Sequence, residues 1–220
     1  MEDAFAEARR LMLERDLKGR GITDLNVLRV MAEIPREEFV PKMCHSQAYC
    51  DGPLPIDMGQ TISQPYIVAL MTQELQLGPD CEVLELGTGS GYQTAVLARL
   101  AKRIYTIEKF EELSKSARGV LDRLGINNVE FRVGDGSCGW PRSQLPRCGC
   151  FDRIMITAAV PRMPEPLIEQ LTDGGLIVGP VGGPAVQDLV VAKKRAGRLI
   201  QTTVCGCRFV RLVGKNAFEQ

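Results

Sequence analysis

The sequence predicts an α/β fold: a doubly wound, mostly parallel sheet with an N-terminal helical extension and an antiparallel C-terminal hairpin. Two observations predict it. From Cys81 onward, short apolar runs alternate with helical segments, which is typical of a parallel sheet covered on both faces. Beyond residue 186, two strand-like runs are joined by Arg195-Ala196-Gly197, which indicates a hairpin.

The chain before Cys81 is predicted to be mainly helical. Apolar residues at helical spacing predict an amphipathic helix over Asp3–Lys18 and a second helix over Asp24–Ile34. A third helix begins at Ser63-Gln64-Pro65 and runs to about Leu77, because Ser is a good N-cap and Pro fits the first turn. Residues 40–62 are rich in Pro and Gly, and loops of this length are often functional.

The alternating region supplies the strands of the sheet and the helices between them. Parallel strands are predicted over Glu82–Leu86, Arg103–Ile107, Val129–Val133, Arg153–Thr157 and Leu176–Val181. Helices are predicted over Tyr92–Ala101, Phe110–Leu124 and Glu165–Leu171, and the hairpin strands over Asp188–Lys193 and Leu199–Cys205. We expect one domain over 1–220, with helices and a loop over 1–62, an α/β core over 63–185, and the hairpin and tail over 186–220.

Composition restricts the class of protein. Of the 220 residues, 45% are hydrophobic and 25% are charged, which is ordinary for a globular domain. The net charge is zero and no block of Lys and Arg occurs, so no nucleic-acid partner is indicated. The sequence has no signal-peptide pattern and no apolar run of transmembrane length, so we expect a cytoplasmic protein with no membrane partner.

Histidine and cysteine usage argues against several kinds of site. His45 is the only histidine and has no acidic neighbour in sequence, which disfavours a Ser-His-Asp hydrolase or a zinc protease. Eight cysteines are present, and the pairs Cys148/Cys150 and Cys205/Cys207 are the only arrangement that resembles a zinc site. One intervening residue is too short a spacing for the usual zinc knuckle, so we expect free thiols and no metal.

A glycine-rich turn carries the densest chemical signal. Gly87, Gly89 and Gly91 follow the first strand of the alternating region and precede a helix, whose N-terminus can offer N–H groups to an anion such as a carboxylate. A turn without a ligand remains an alternative. Tyr92 stands where the dinucleotide fingerprint has its last glycine, which disfavours a nicotinamide dehydrogenase.

Acidic residues stand at or near the ends of three consecutive strands. Glu85 precedes the glycine turn, Glu108 follows about twenty residues later, and Asp135-Gly136 lies after the third strand. An acid in the position of Glu108 can bind ribose hydroxyls, and the turn at Asp135 is placed to meet an adenine. Singly, Glu108 or Asp135 is equally compatible with a solvated loop acid. Together they predict a nucleoside with a carboxylate-bearing tail, a shape that S-adenosyl-L-methionine has.

Several segments resemble the protein-L-isoaspartate O-methyltransferase family, over about residues 10–213. They are Arg20–Asp24, Pro35-Arg36, Phe39–Pro41, Asp51–Ile56, Gly59–Tyr66, Leu84–Ala95, Gly134–Gly136 and Thr157–Ala159, with Pro164, Leu167-Ile168, Gln170-Leu171 and Gly174-Gly175. The segment from Gln60 to Pro65 is far more specific than the glycine turn, which most methyltransferases share. The resemblance implies a Rossmann-like class I methyltransferase.

The resemblance also implies an activity and a set of roles. The family methylates the α-carboxylate exposed when an aspartyl or asparaginyl residue isomerises to isoaspartate, using S-adenosyl-L-methionine and releasing S-adenosyl-L-homocysteine. Ser63 matches the active-site serine, and the backbone of Phe209 and Val210 matches the lining of the peptide site. The implied cofactor residues are Thr61, Ile62, Ser63, Glu85, Gly87, Thr88, Gly89, Ser90, Glu108, Asp135 and Gly136. The expected partners are isoaspartyl-containing peptides and proteins, and the expected state is a monomer.

The sequence departs from the family pattern at two places. Asp57-Met58 stands where many bacterial relatives have Gly-His, and Arg211 stands where a proline is usual. Both concern substrate preference more than reaction type.

Two alternative functions stay open: a methyltransferase that acts on a nucleic acid or small molecule, and a non-catalytic module that keeps the fold. Ser63 also suits a helix N-cap. A carboxylate nucleophile is ionised at neutral pH, so the reaction needs no general base.

Overall fold

The N-terminal part of the computed structural model is helical; the structure describes residues 4–146 and 149–219. Helix α1 (Ala6–Leu11) continues into a π-helical stretch and a 3-10 turn that ends at Gly21, where φ is 92°. The predicted helix start at Asp3 lies outside the described residues. Helix α2 (Leu25–Glu33) begins after Asp24, whose carboxylate accepts bonds from two main-chain N–H groups and therefore caps the helix.

The turn-rich segment contains a small hairpin that the sequence does not predict. Strand β1 (Leu54–Pro55) pairs antiparallel with β2 (Thr61–Ile62), and Met58 and Gly59 between them have positive φ angles of 58° and 65°. Strands of two residues are too short to show an alternating pattern, which explains why the sequence gives no sign of them. The hairpin leads into helix α3 (Pro65–Leu75).

A seven-stranded sheet forms the centre of the described structure. Its strands are β3 (Glu82–Leu86), β4 (Arg103–Glu108), β5 (Val129–Val133), β6 (Phe151–Ile156), β7 (Leu171–Gly182), β8 (Gln187–Arg195) and β9 (Arg198–Cys207). Their order is β5-β4-β3-β6-β7-β8-β9, with parallel pairing up to β7 and antiparallel pairing beyond it. The interleaved helices are α4 (Tyr92–Ala98), α5 (Glu111–Arg123) and α6 (Glu165–Gln170). The predicted α/β fold class is confirmed.

The largest difference from the predicted boundaries lies at β7. The strand begins at Leu171, five residues before the predicted start, and follows α6 directly. The added residues include Gly174, whose φ of 82° is typical of a loop, so the sequence predicts a turn there. A register shift between Phe151 and Arg153 on the neighbouring strand lets this irregular stretch pair with the sheet.

The two faces of the sheet are buried in separate apolar clusters. Side chains alternate along β3, so Val83 belongs to the cluster that includes α2, α3 and α4, whereas Leu84 and Leu86 belong to the cluster that includes Trp140 and Phe151. Within the described residues, none of the helices combines the length and apolar character needed to span a bilayer. Because both faces are covered, the carboxyl edge of the parallel strands is the natural place for a ligand.

Candidate active site

A cavity of about 1030 Å³, including its open mouth, lies at the carboxyl ends of β3, β4, β5 and β6. Most of the residues that the sequence assigns to the site line it together: Thr61, Ile62, Ser63, Gly87, Thr88, Gly89, Ser90, Glu108, Gly136, Phe209 and Val210. Glu85 and Asp135 do not line it.

Two positions of the glycine turn require glycine, because each combines a positive φ with a crowded Cβ position. Gly87 has a φ of 94°, and a Cβ there would overlap the hydroxyl of Thr157. Gly91 has a φ of 87°, and a Cβ there would lie 2.9 Å from the Cβ of Ala117 on α5. The turn therefore packs tightly against its neighbours, and its backbone forms one wall of the cavity.

The turn offers fewer free N–H groups than the sequence predicts. The amides of Gly87 and Gly91 bond main-chain carbonyls at 2.8 Å, and the amide of Gly89 donates to Glu108 Oε2 at 2.8 Å. The amide of Tyr92, the first residue of α4, donates to the Ser90 hydroxyl at 3.3 Å. The expected anion site at the start of α4 is thus reduced, because internal acceptors already occupy these donors.

Glu108 is placed as predicted, at the end of β4 on the cavity wall, and only 6% of it is exposed. Its Oε2 accepts from Gly89 and its Oε1 accepts from the amide of Phe110 at 3.0 Å. An ionised carboxylate has about four acceptor positions. Two therefore remain for the hydroxyl groups of a ligand, and the two main-chain bonds fix the orientation of the carboxylate.

The prediction that Glu85 contacts the cofactor is not supported by its position. The side chain is fully buried, because the alternation of β3 turns it toward α4, and its Oε2 accepts from Thr94 at 2.6 Å and from Thr106 at 2.7 Å. Burial raises the pKa of Glu85 to about 8. The Thr106 hydroxyl also lies 2.6 Å from that of Thr88, which lines the cavity. Glu85 thus lies behind the cavity wall and is linked to it through Thr106 and Thr88.

Asp135 also lies beside the cavity, and its carboxylate bonds Ser137 and the C-terminal segment instead of lining the cavity. Its Oδ1 accepts from the amide and hydroxyl of Ser137 at 2.9 and 2.7 Å, and its Oδ2 accepts from the amide of Lys215 at 2.7 Å. Burial opposes ionisation, but these hydrogen bonds outweigh it and lower the pKa of Asp135. Of this predicted pair only Gly136 lines the cavity, together with Gly134, while the Asp135 carboxylate fixes the C-terminal segment.

Ser63 lies between β2 and α3, where it lines the cavity without capping a helix. The N-cap of α3 is Gln64, so the alternative role as N-cap is wrong. Among the described residues the Ser63 hydroxyl has no hydrogen-bond partner, whereas its carbonyl accepts from Arg36 Nη2 at 2.7 Å. The hydroxyl is therefore available to a ligand, and the main chain that carries it is held in place.

Arg36 contacts the segment that carries Ser63, a position that the sequence does not indicate. It is fully buried, its Nε donates to the carbonyl of Ala48 at 2.7 Å, and its guanidinium lies 4.7 Å from the ring centroid of Tyr92. Burial lowers its pKa. Its position in the Pro35-Arg36 motif was the only signal, because nothing in the local sequence shows that the residue is buried.

A second, adjoining groove shares part of the cavity wall. Both are lined by Thr61, Ser63, Thr157, Phe209 and Val210, so these residues form their junction. The rest of the groove is formed by Arg20, Pro53, Gln64, Tyr66, Ile67, Cys205, Gly206, Cys207 and Arg208. Thr157, at the end of β6, also donates to the carbonyls of Leu86 and Gly87. Its position after a parallel strand is a signal that the sequence analysis did not use.

His45 and the cysteines have no assigned role in the site. His45 packs edge-on against Phe5 at a centroid distance of 6.1 Å, and it lines neither the cavity nor the groove. Free thiols are found at Cys44, Cys50, Cys81, Cys138, Cys205 and Cys207, and Cys148 lies outside the described residues. Burial raises the pKa of Cys207 to about 11, so this thiol is protonated at neutral pH.

Known protein families and relatives match nearly the whole chain. The family model for protein-L-isoaspartate(D-aspartate) O-methyltransferase matches residues 7–217. A protein-L-isoaspartate O-methyltransferase of Trichlorobacter lovleyi is 50% identical over 216 residues, which cover 98% of this chain and 97% of the relative. One of Methanoregula boonei is 48% identical over 214 residues, which cover 97% of this chain and 96% of the relative.

Solved structures agree with these matches. A structure described as protein-L-isoaspartate O-methyltransferase superimposes with a TM-score of 0.81 at 30% identity, over 95% of this chain and 67% of that chain. A Plasmodium falciparum protein described as a protein-L-isoaspartate O-methyltransferase, in complex with S-adenosyl-L-homocysteine, superimposes with a TM-score of 0.78 at 25% identity. That match covers 93% of this chain and 98% of the other.

Proposed function

This chain belongs to the protein-L-isoaspartate(D-aspartate) O-methyltransferase family, and we propose that it transfers a methyl group from S-adenosyl-L-methionine to the α-carboxylate of L-isoaspartyl residues in damaged proteins and peptides. The reaction is a carboxyl methyl transfer that releases S-adenosyl-L-homocysteine and begins the repair of the damaged site. The cavity is the cofactor site in this proposal, and the groove is the peptide site.

The cavity suits S-adenosyl-L-methionine. When bound, the cofactor supplies an electrophilic methyl group on a sulfonium. Glu108, with two acceptor positions left after its main-chain bonds, would hold the ribose hydroxyls. Gly134 and Gly136 would border the adenine, and the side chains of Met71 and Phe110 provide apolar wall. The backbone of Gly87–Ser90, with that of Thr61 and Ile62, would hold the amino-acid part.

Ser63 is the residue that we propose acts on the substrate. Its hydroxyl has no partner in the described structure and lies at the junction, so it would donate to the isoaspartyl carboxylate and orient it. The main chain of Phe209 and Val210 would support the substrate peptide at the same place. The carboxylate is already ionised, so no side chain has to accept a proton. The position of His45, away from the junction, agrees with this proposal.

One observation carries the proposal: the cavity and the groove meet at Ser63 and Thr157. Methyl transfer by displacement requires the donor and the acceptor to approach within about 3–3.5 Å in one orientation. Two adjoining binding spaces with a common wall provide such an arrangement, and positioning then supplies most of the catalysis.

A pair of matched peptides tests the function. One contains an isoaspartyl residue and the other the normal aspartyl residue, and each is mixed with the protein and S-adenosyl-L-methionine labelled on its methyl group. We expect label in the isoaspartyl peptide alone, together with one equivalent of S-adenosyl-L-homocysteine. Label in neither peptide, with cofactor binding intact by calorimetry, would instead support a non-catalytic module.

Predictions about partners, oligomeric state, location and chain division accompany the proposal. The net charge of zero supports the absence of a nucleic-acid partner. The monomeric state and the cytoplasmic location stay predictions, and so does the division of the chain at residues 62 and 185. Size-exclusion chromatography with light scattering measures the oligomeric state directly.

A further inference from the structure

Two arginines flank the segment that separates the cavity from the groove. Arg208 lines the groove, Arg211 lines the cavity, and Phe209 and Val210 between them line both. The side chains of Arg208 and Arg211 are exposed, and within the described residues neither forms an ion pair or a hydrogen bond. Two uncompensated positive charges therefore border the place where the two ligands meet.

A third guanidinium of the groove lining belongs to Arg20, on a different element of the chain. Arg20 stacks 3.6 Å from the ring centroid of Tyr66 and forms an ion pair with Asp51 at 2.6 Å. Its charge is thus partly compensated, but its orientation is fixed. None of the described residues that line the groove is acidic. The lining of the groove itself therefore carries arginines and no carboxylate, and Asp51, outside the lining, is paired with Arg20.

We propose that this groove selects isoaspartyl sites that have acidic side chains close by in the substrate. The inference rests on the proposed function, because it treats the groove as the peptide site. A substrate carboxylate one or two residues from the isoaspartyl residue would pair with Arg208 or Arg211, whereas a lysine there would be repelled. Guanidinium groups bind carboxylates well because their donors match the two oxygens.

The main chain allows this inference to be tested without disturbing the fold. The bridge beside Arg211 uses the amide of Leu212, which donates to the Ala159 carbonyl, and the carbonyl of Val210, which accepts from the Ala159 amide. Arg211 contributes neither bond, so changing its side chain removes no main-chain hydrogen bond. Arg208 is exposed and equally free of structural partners in the described part of the chain.

The experiment compares three isoaspartyl peptides that differ only at the two flanking positions, which are Glu, Gln or Lys. An exposed ion pair contributes about 0.2–1 kcal/mol, so two such pairs should make KM of the wild-type protein about 2- to 30-fold lower for the Glu peptide than for the Lys peptide. Because the charges are exposed, 0.5 M salt should reduce this ratio toward one. Arg208→Gln and Arg211→Gln should each reduce it, and the double variant should abolish it.

The variants separate the possible outcomes. Arg198, exposed at the start of β9 and outside the groove, provides the matched control, and Arg198→Gln should keep the wild-type ratio. Arg208→Lys keeps the charge and should keep most of the preference. An unchanged ratio in the double glutamine variant, with the Gln peptide still methylated, overturns the inference and leaves the proposed function standing. Failure to methylate any of the three peptides contradicts the proposed function itself.

Discussion

Arg36 Nη2 donates a hydrogen bond of 2.7 Å to the main-chain carbonyl of Ser63, although the two residues are 27 positions apart. The same guanidinium bonds the carbonyl of Ala48 through Nε and lies against the ring of Tyr92, which lines the cavity. The buried cation thus joins the N-terminal segment, the segment that carries Ser63 and the start of α4. This contact places the Ser63 hydroxyl at the junction of the cavity and the groove.

Replacing Arg36 by lysine should separate positioning from simple stability. A single ammonium cannot reproduce both main-chain bonds, so one buried carbonyl loses a charged donor, at a cost of about 1.5–3 kcal/mol in unfolding free energy. If Arg36 positions Ser63, kcat should also fall at temperatures where the variant is fully folded, while the cofactor Kd changes little. Denaturant titration, calorimetry and steady-state kinetics measure the three quantities. Lower stability with wild-type kcat would restrict Arg36 to a structural role.

Ser63→Ala tests the proposed contact with the substrate carboxylate. Loss of a donor to a reacting oxygen lowers turnover by about 10–10³-fold in other enzymes, and we expect the same range here. The melting temperature should stay near that of the wild type, because Gln64, not Ser63, is the N-cap of α3.

Asp24→Ala provides the matched control for Ser63→Ala. Asp24 is a true N-cap of α2, so this variant should lose about 1 kcal/mol of stability and keep its turnover. A Ser63→Ala protein with wild-type single-turnover kinetics would remove the serine from the mechanism.

Glu108→Gln should weaken cofactor binding while the fold persists. A charge-assisted hydrogen bond contributes about 1.5–3 kcal/mol, so Kd for S-adenosyl-L-methionine should rise about tenfold or more. The amide of Gln also replaces one acceptor of two main-chain N–H groups by a donor, which disturbs the orientation of the side chain. Calorimetry measures Kd, and Glu112→Gln on the exposed face of α5 is the control. An unchanged Kd in Glu108→Gln would show that the ribose lies elsewhere.

Glu85 makes stability depend on pH. Its pKa rises from 4.5 to about 8 on folding, so between these values the folded protein carries a proton that the unfolded chain does not. Stability should therefore fall as pH increases from about 4.5 to 8, by about 1.4 kcal/mol per pH unit from this group alone. Glu85→Gln keeps an acceptor for Thr94 and Thr106 and should lose this slope. Urea denaturation at pH 5.5, 6.5 and 7.5 compares the two proteins, and equal slopes would contradict the assignment.

The fold follows closely from the sequence because its signals are local and periodic. The strands from β3 to β6 are short apolar runs between helical patterns, and their boundaries match the predictions to within two residues. The β1–β2 hairpin has no comparable periodicity, and β7 contains glycines that also fit a loop. Two-residue strands are too short to show a period, and the irregular start of β7 depends on pairing with β6, which a local pattern does not report.

The sequence predicts which strand ends carry the site, but not which side chains at those ends line the cavity. Glu108 and Ser63 lie where the patterns and the family resemblance place them. Glu85 and Asp135 share the same strand ends but point elsewhere, one because of strand alternation and the other because the C-terminal segment supplies its donors. Arg36 acts through contacts 12 and 27 residues away. Which side chain reaches a cavity depends on such long-range packing.

The hydrogen bonds around Asp135 bear on how this protein ages. Asp51, Asp135 and Asp173 each precede a glycine, the pairing in which the following amide attacks the side-chain carbonyl most readily. The Asp135 carboxylate is fixed by Ser137 and Lys215, and that of Asp51 by Arg20, whereas Asp173 accepts a single long bond of 3.4 Å from Gly197. Incubation at 37 °C with peptide mapping should find isoaspartate at Asp173 first. Asp51 and Asp135 would then remain intact longer than Asp173, in an enzyme that repairs this same damage.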